Sequence, residues 1–543
     1  MIVQRTMPVD ADCRAVRVPR DHGEALVHPS RDQITGLLAD NLRMGHQSSD
    51  YDLQGSSLAE LRDHARRDLL EDARQYTSAY RDVQFAADAD SPLLLAGHQP
   101  QLFHAGVWFK NFALSQLAAR HRAQAVNLVI DNDIHRNSSL RVPHDIPRGI
   151  PSGQGIQTLL FDRAAEAIPY EQRQILDRSA YATFGDRVQG SLNGLVPDPL
   201  IRELWPLAQQ ASRRSNNLGR CLAEARHSLE ARYDQQTWEL PLSHVCDTPW
   251  FAQFASHLLA HLPRLQDVYN TSLAEYRRVN RVRSRSHPVP DLVSDGLWLE
   301  APFWIWTVDS PHRQRMFVRA YGDGLEISDR RHVTFSLEVT PDRSADRAVE
   351  QWLSQAARGV RLRPRALITT MYARLVLGDL FLHGIGGGKY DQLTDRIIRR
   401  FFELQPPHYL VISATALLFE DHTAGLRDRI QDLRQRLREL RYHPEKHAIA
   451  SAEVTRLTHE KFAHICGAAS DGQGRTRHLA IERVNAALQT HLAMSPPQVL
   501  IELEEYSTDL RRQSALASRE FSFCLFSEQK LCPLLRALAQ STA

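Results

Sequence analysis

Apolar residues in this chain gather in short runs, set between longer stretches of helical spacing. Leu93-Leu94-Leu95-Ala96 is one run, ending at Gly97, and Val126-Asn127-Leu128-Val129-Ile130 is another, closed by Asp131-Asn132-Asp133. Runs this short, bounded by turn residues, predict buried strands. The loop Gly97–Gly106 and a helix predicted over Val107–His121 separate them. The segment therefore reads as a βαβ unit, which requires parallel strands joined by a right-handed crossover. The alternation returns later in the chain. Ala366–Thr370 predicts a strand, Met371–Leu377 a short helix and Asp379–His383 a strand. Gly384–Lys389 follows as a glycine-rich loop, then a helix over Tyr390–Phe402 and a strand over Tyr409–Ser413.

Elsewhere the period is helical. Residues 57–88 are rich in Ala, Leu, Arg and Asp, and helical patterns run through 200–232 and 249–280. Strand candidates at Phe303–Val308 and Arg315–Ala320 precede the turn Tyr321-Gly322-Asp323-Gly324. Leu426, Ile430, Leu433, Leu437 and Leu440 are spaced four, three, four, three, an a/d seam. A further helix is predicted from Thr476 to Met494, stopping before Pro496-Pro497. The fold class expected is α/β: a Rossmann-like parallel sheet core, a long inserted α+β region and a C-terminal helical coiled-coil arm. The expected divisions are an N-terminal helical region (1–90), the two core halves (91–145 and 361–420), a connecting insertion (146–360) and the helical region 421–543.

Composition narrows the function classes. With 66 basic and 64 acidic residues the net charge is +2, which speaks against a dedicated nucleic-acid binder. No run approaches the roughly 18–20 apolar residues of a membrane helix, and residues 1–20 lack a signal-peptide core, so a soluble cytoplasmic protein is expected. The six cysteines show no CxxC spacing, so neither zinc nor a disulfide framework is indicated. Lysine is scarce: Lys110, Lys389, Lys446, Lys461 and Lys530 are the complete set. Lys110 and Lys389 both fall in the strand–loop–helix segments, where a compact ammonium suits a tight site.

Three segments are candidates for chemistry. In the first, Gly97, His98, Gln99 and His104 occupy a strand-to-helix loop, with Lys110 and Asn111 one turn into the helix. Such loops at the ends of parallel strands receive ligands, and the helix N-terminus favours anions. In the second, His383, Gly384, Gly386, Gly387, Gly388, Lys389 and Asp391 suit anion binding through backbone N–H groups, although Lys389-Tyr390 is not a P-loop ending. In the third, Asp131 and Asp133 end a strand, where carboxylates could hold Mg²⁺, an amine or a ribose, or act as a general base. Plain turn geometry explains each segment without function. The arginines of 277–285 read as a solvated helix face, and Trp298, Phe303, Trp304 and Trp306 as core.

The stretch Leu93–Phe103 with its following helix resembles the first core motif of the bacillithiol-synthesis cysteine-adding enzymes. Leu362–Leu417, with Arg363-Pro364, His383-Gly384 and the glycine run, resembles that family's later strand, Gly-Gly loop and helix. His98 stands where the family has its first Gln, and Asp131-Asn132-Asp133 is an altered form of its acidic motif. The resemblance implies a Rossmann core, a coiled-coil arm used for homodimerisation, nucleotide binding and a reaction joining cysteine to an amino-sugar conjugate. The expectation is a ligase-like enzyme that joins an amino acid to an amine, with ATP or ADP and Mg²⁺. His98, His104, Asp131 and Asp133 would be catalytic, and the lysines and glycines would hold the nucleotide. The rival readings are a non-catalytic dimeric scaffold binding a nucleotide or metabolite, a nucleotidyl transferase, and a nucleic-acid processing factor.

Overall fold

The computed structural model describes residues 16–84, 91–144, 155–284, 286–466 and 474–542. The chain forms two compact units, one from residues 1–142, 158–416 and 519–543, the other from 143–157 and 417–518.

The first unit is built on a six-stranded sheet. Its strands are β1 (Glu24–His28), β2 (Leu93–His98), β3 (Gln124–Val129), β4 (Trp238–Pro241), β5 (Leu380–His383) and β6 (Tyr409–Thr415). The order across the sheet is β1-β6-β5-β2-β3-β4. The five strands from β2 to β6 run parallel, and β1 lies antiparallel along β6. The chain lays down β2, β3 and β4 outward in one direction, then returns to place β5 and β6 on the other side of β2. The order therefore reverses between β2 and β5, and in open α/β sheets such a reversal opens a crevice at the carboxyl ends of the strands. Burial of Leu93, Leu94, Leu95, Val126 and Leu128 on both faces of the sheet explains why these strands carry mainly apolar runs, interrupted in β3 only by the buried Asn127.

Three helices carry residues that line or support the crevice: α1 (Ala105–His121) and α2 (Leu218–Glu230) from behind His98, and α3 (Ile385–Ile397) through Tyr390. Gly106 opens α1, and a Cβ there would come 2.2 Å from the Ala414 carbonyl, so the close packing of α1 on β6 requires glycine. A second, antiparallel sheet contains Trp298–Thr307, Ser310–Tyr321, Gly324–Ser328, Thr334–Leu337 and Val360–Pro364. It includes both strand candidates read from the 303–320 segment.

Two expectations for the core are corrected. Ala366–Thr370 is not a strand: Ala366–Tyr372 is a helix, continued by a wider π turn over Ala373–Leu377. Leu367, Ile368 and Met371 all bury there, a spacing a helix face can meet despite the β-branched residues between them. The glycine-rich loop is also absent as a loop. Gly384 caps α3, and Gly386–Gly388 form its first turn. Within 1–90, β1 joins the helices Ile34–Gln47 and Leu58–Ser78.

The second unit contains the helices Thr423–Tyr442, Ala452–Cys466, Gly474–Gln489 and Pro496–Leu516. The seam residues Leu433 and Leu440 bury against Val499 of the last helix, with Leu503 and Tyr506 beside them. Pro496 and Pro497 start that helix, where missing N–H groups cost nothing. Among the described residues no helix is long and apolar enough to cross a membrane.

Candidate functional site

The carboxyl ends of β2 and β5 share one cavity of about 390 Å³, lined by Gly97, His98, Gln99, Phe381 and His383. Asn132 and Asp133, following β3, line it too, as do Trp304, Arg313 and Arg365 from the second-sheet region and Tyr390 from α3. It lies where the strand order reverses. Two segments almost 290 residues apart in sequence run side by side to reach it: at their amino ends Leu93 N–H donates to Asp379 Oδ2 at 2.8 Å, a separation of 286 residues, and at their carboxyl ends His98 and His383 both line the cavity.

His383 is held by a buried acid. Its Nε2 lies 2.9 Å from Asp391 Oδ2. Asp391 also accepts from Thr370 Oγ1 and from Arg374 NH1, each at 2.6 Å. Arg374 projects from the π turn, reaches Asp395 as well, and stacks over the Tyr409 ring at 4.7 Å. Burial alone would raise the Asp391 carboxyl, but Arg374 and His383 hold it well below the usual carboxylate range. Burial lowers His383 and outweighs the pull of Asp391, so the ring is neutral near pH 7. A neutral ring donating Nε2–H to a carboxylate keeps its lone pair on Nδ1. A Cβ at position 387 would come 2.7 Å from that Nδ1, so Gly387 keeps the lone pair uncovered on that side.

His98 rests on a different support. Its Nδ1 is 3.2 Å from the Gln99 carbonyl, and its Nε2 is 3.1 Å from Asn111 Oδ1 and 3.2 Å from Asn127 Nδ2. A neutral ring donates from one nitrogen, so it satisfies one of the two oxygens at a time. Burial, Arg226 and Lys110 all push its pKa well down. Behind it, Asn111 and Trp108 donate to Glu230, and Arg226 links Glu230 to Glu239. His227, Glu230 and Glu239 come close enough to hold a metal ion, but Arg226 already supplies the positive charge between the two carboxylates. Lys110 gives one hydrogen bond to the Gly97 carbonyl at 2.6 Å, and burial lowers its ammonium to about 8.

The opposite wall carries guanidinium groups. Arg313 and Arg365 flank the Trp304 ring at 4.8 and 4.3 Å. Arg313 pairs with Asp133 at 3.1 Å, and Asp133 also accepts from Gln99 Nε2 at 2.6 Å. Arg365 pairs with the buried Glu300 at 2.6 Å, and Glu300 also faces Arg315 at 3.6 Å.

The expected residues thus divide. His98, His383, Gly97, Gln99 and Asp133 line the cavity, while Asn111, Lys110 and Asp391 stand behind its histidines. His104 caps α1, accepting from the Gly106 N–H at 3.1 Å, and is not a lining residue. Asp131 accepts two hydrogen bonds from Ser243, which tie the end of β3 to the segment after β4. Burial raises its carboxyl to about 7. Lys389 is exposed on α3, and Gly388 packs inward, where a Cβ would meet Val411 at 2.3 Å. Arg285 lies outside the described residues; Arg277 of the same stretch pairs with Asp291. Sequence reasoning missed Arg313, Arg365 and the pairing of Arg374 with Asp391. It placed Trp304 in the core, and no local pattern marks any of them as a site. No protein-family model matches the chain, and no curated protein matches it.

Proposed function

We propose that this chain is an enzyme with a Rossmann-like core, acting on an organic substrate in the cavity between β2 and β5. His383 is its general base. The observation that carries this reading is the Asp391–His383 pair: a buried carboxylate fixes the ring's tautomer and aims a neutral imidazole into a cavity at the strand-order reversal. The reaction it serves best is the one the sequence resemblance implies, in which an amine attacks an activated carboxyl carbon. The acyl donor enters already activated as an ester or thioester; the new C–N bond forms, the acyl C–O or C–S bond breaks, and the amine proton passes to His383 Nδ1 and from there to the departing alkoxide or thiolate. The guanidinium wall stabilises charge developing on the acyl oxygen.

The cavity's donor set does not fit a magnesium triphosphate. Asp131 is committed to Ser243 and Asp133 to Arg313 and Gln99, which leaves neither carboxylate free for Mg²⁺. Lys389 is exposed away from the lining.

Purified protein incubated with a small-molecule cell extract, with and without ATP and Mg²⁺, tests the reading by mass spectrometry. The wild type should deplete specific masses and form a conjugate of their sum less the leaving group, and His383→Ala should not. An extract left unchanged by the wild type in both arms refutes the proposal.

A further inference from the structure

Arg365 is 8% exposed and lines the cavity, yet its Nε–H finds no partner among the described residues. One terminal nitrogen, NH2, bonds Glu300, and the guanidinium plane is held against the Trp304 ring. A buried donor left unpaired costs free energy unless something satisfies it. The surrounding charge is also incomplete. Three guanidinium groups, those of Arg313, Arg315 and Arg365, face two carboxylates, Asp133 and Glu300, which leaves one positive charge over.

We infer that Arg365 anchors a substrate carboxylate that takes no part in the acyl transfer, and that the cavity takes a small organic acid with a single free carboxylate and an apolar body. A carboxylate is planar and singly charged, and it can accept from a guanidinium edge in two parallel hydrogen bonds. That matches the one unpaired Nε–H and the one spare charge. A phosphate monoester brings about one and a half to two negative charges near pH 7 and exceeds what the wall offers. Ile130, Val289, Pro290, Leu367 and Phe381 supply the apolar lining for the rest of the molecule. This inference rests on the enzyme reading for the identity of the site and adds its ligand class.

Calorimetric titration of the full chain with benzoate and butyrate is the test. Phenyl phosphate, butyramide and butanol serve as matched controls. The carboxylates should bind, the amide and alcohol should not, and the phosphate should bind more weakly than benzoate. Arg365→Lys keeps the charge beside Glu300 but loses the planar fork, and should weaken carboxylate binding about tenfold or more. Should that variant fail to fold, Val289→Trp fills the cavity from a partly exposed loop position and should abolish binding. Equal binding of amide and carboxylate, tighter binding of the phosphate, or full affinity in either Arg365→Lys or Val289→Trp overturns the inference. Arg365-dependent binding without turnover of any extract would remove the enzyme reading and leave the anchor. Turnover without carboxylate binding would do the reverse.

Discussion

Asp391 performs two tasks with one carboxylate. It compensates the buried Arg374 guanidinium and fixes the His383 tautomer. Asp391→Ala should therefore cost about 3–5 kcal/mol in unfolding free energy, because it leaves a buried cation short of a partner. Chemical denaturation reads this directly, and a loss below 1 kcal/mol would show that Asp395 suffices for Arg374. Turnover of the extract's substrate should fall about 10²–10⁴-fold in the folded Asp391→Asn protein, with affinity for the substrate little changed. Residues like these were only half legible in the sequence. His98 and His383 were noticeable because they end apolar runs, where parallel strands open onto solvent. Arg365 and Arg374 were not. Each takes its role from a partner distant in sequence or on another turn, and nothing in its neighbours' spacing marks the event.

At the scale of the element, the glycines of α3 teach the most. A row of three before a lysine suggests backbone freedom, and a loop was the natural expectation. In the structure these residues are helical, and two of the three are needed for closeness instead of flexibility. Gly388 lies against Val411 and Gly387 against His383, while Gly386 faces open space. Substitution should separate these causes. Gly386→Ala should stabilise the protein by about 0.5–1 kcal/mol through helix propensity. Gly388→Ala should destabilise it by about 1–3 kcal/mol through overlap with Val411. Thermal unfolding of the pair checks both, and equal shifts would contradict the packing account. The Ala366–Thr370 segment misled in the opposite direction. Its β-branched residues suit a strand, but packing of Leu367, Ile368 and Met371 into the core decided for a helix. Strands β2 and β3, buried on both faces, were readable because most of their side chains are apolar, with Asn127 and His98 among the hydrogen-bonded exceptions.

The whole molecule should be sensitive to acid. Burial holds His98, His227 and His383 below their ordinary range, lowers His135 to about 4 and His257 to about 3. An unfolded histidine takes up its proton near pH 6.5, so the stabilisation from these neutral rings is complete above that pH and is lost as pH falls below it. Asp131 and Glu239, both raised to about 7 chiefly by burial, act with the opposite sign. Their stabilisation is complete below the ordinary carboxyl range and is lost as pH rises toward 7. Among the described residues His104, His121, His244, His261 and His408 are also held low and Asp72 and Asp395 are also raised, so ten histidines stand against four acids and give a net loss between pH 7 and pH 5. The Tm at pH 5 should be lower than at pH 7.5, and a Tm that rises on acidification would show that the acids dominate.

The strand order was partly legible. The βαβ unit and the later strands pointed to a parallel core, but neither the edge pairing of Glu24–His28 nor the position of β4 left a signal in local periodicity. That edge pairing has a consequence for biogenesis. Glu24 hydrogen-bonds across the ladder from the Thr415 region, and Leu94 lies beside Leu380. A ribosome making this chain must hold its earliest strands without their neighbours until most of the polypeptide has emerged. Chains arrested before residue 380 would carry β2 with one open flank, a ready target for aggregation or chaperone capture, and the cavity could not exist until residue 390 had emerged.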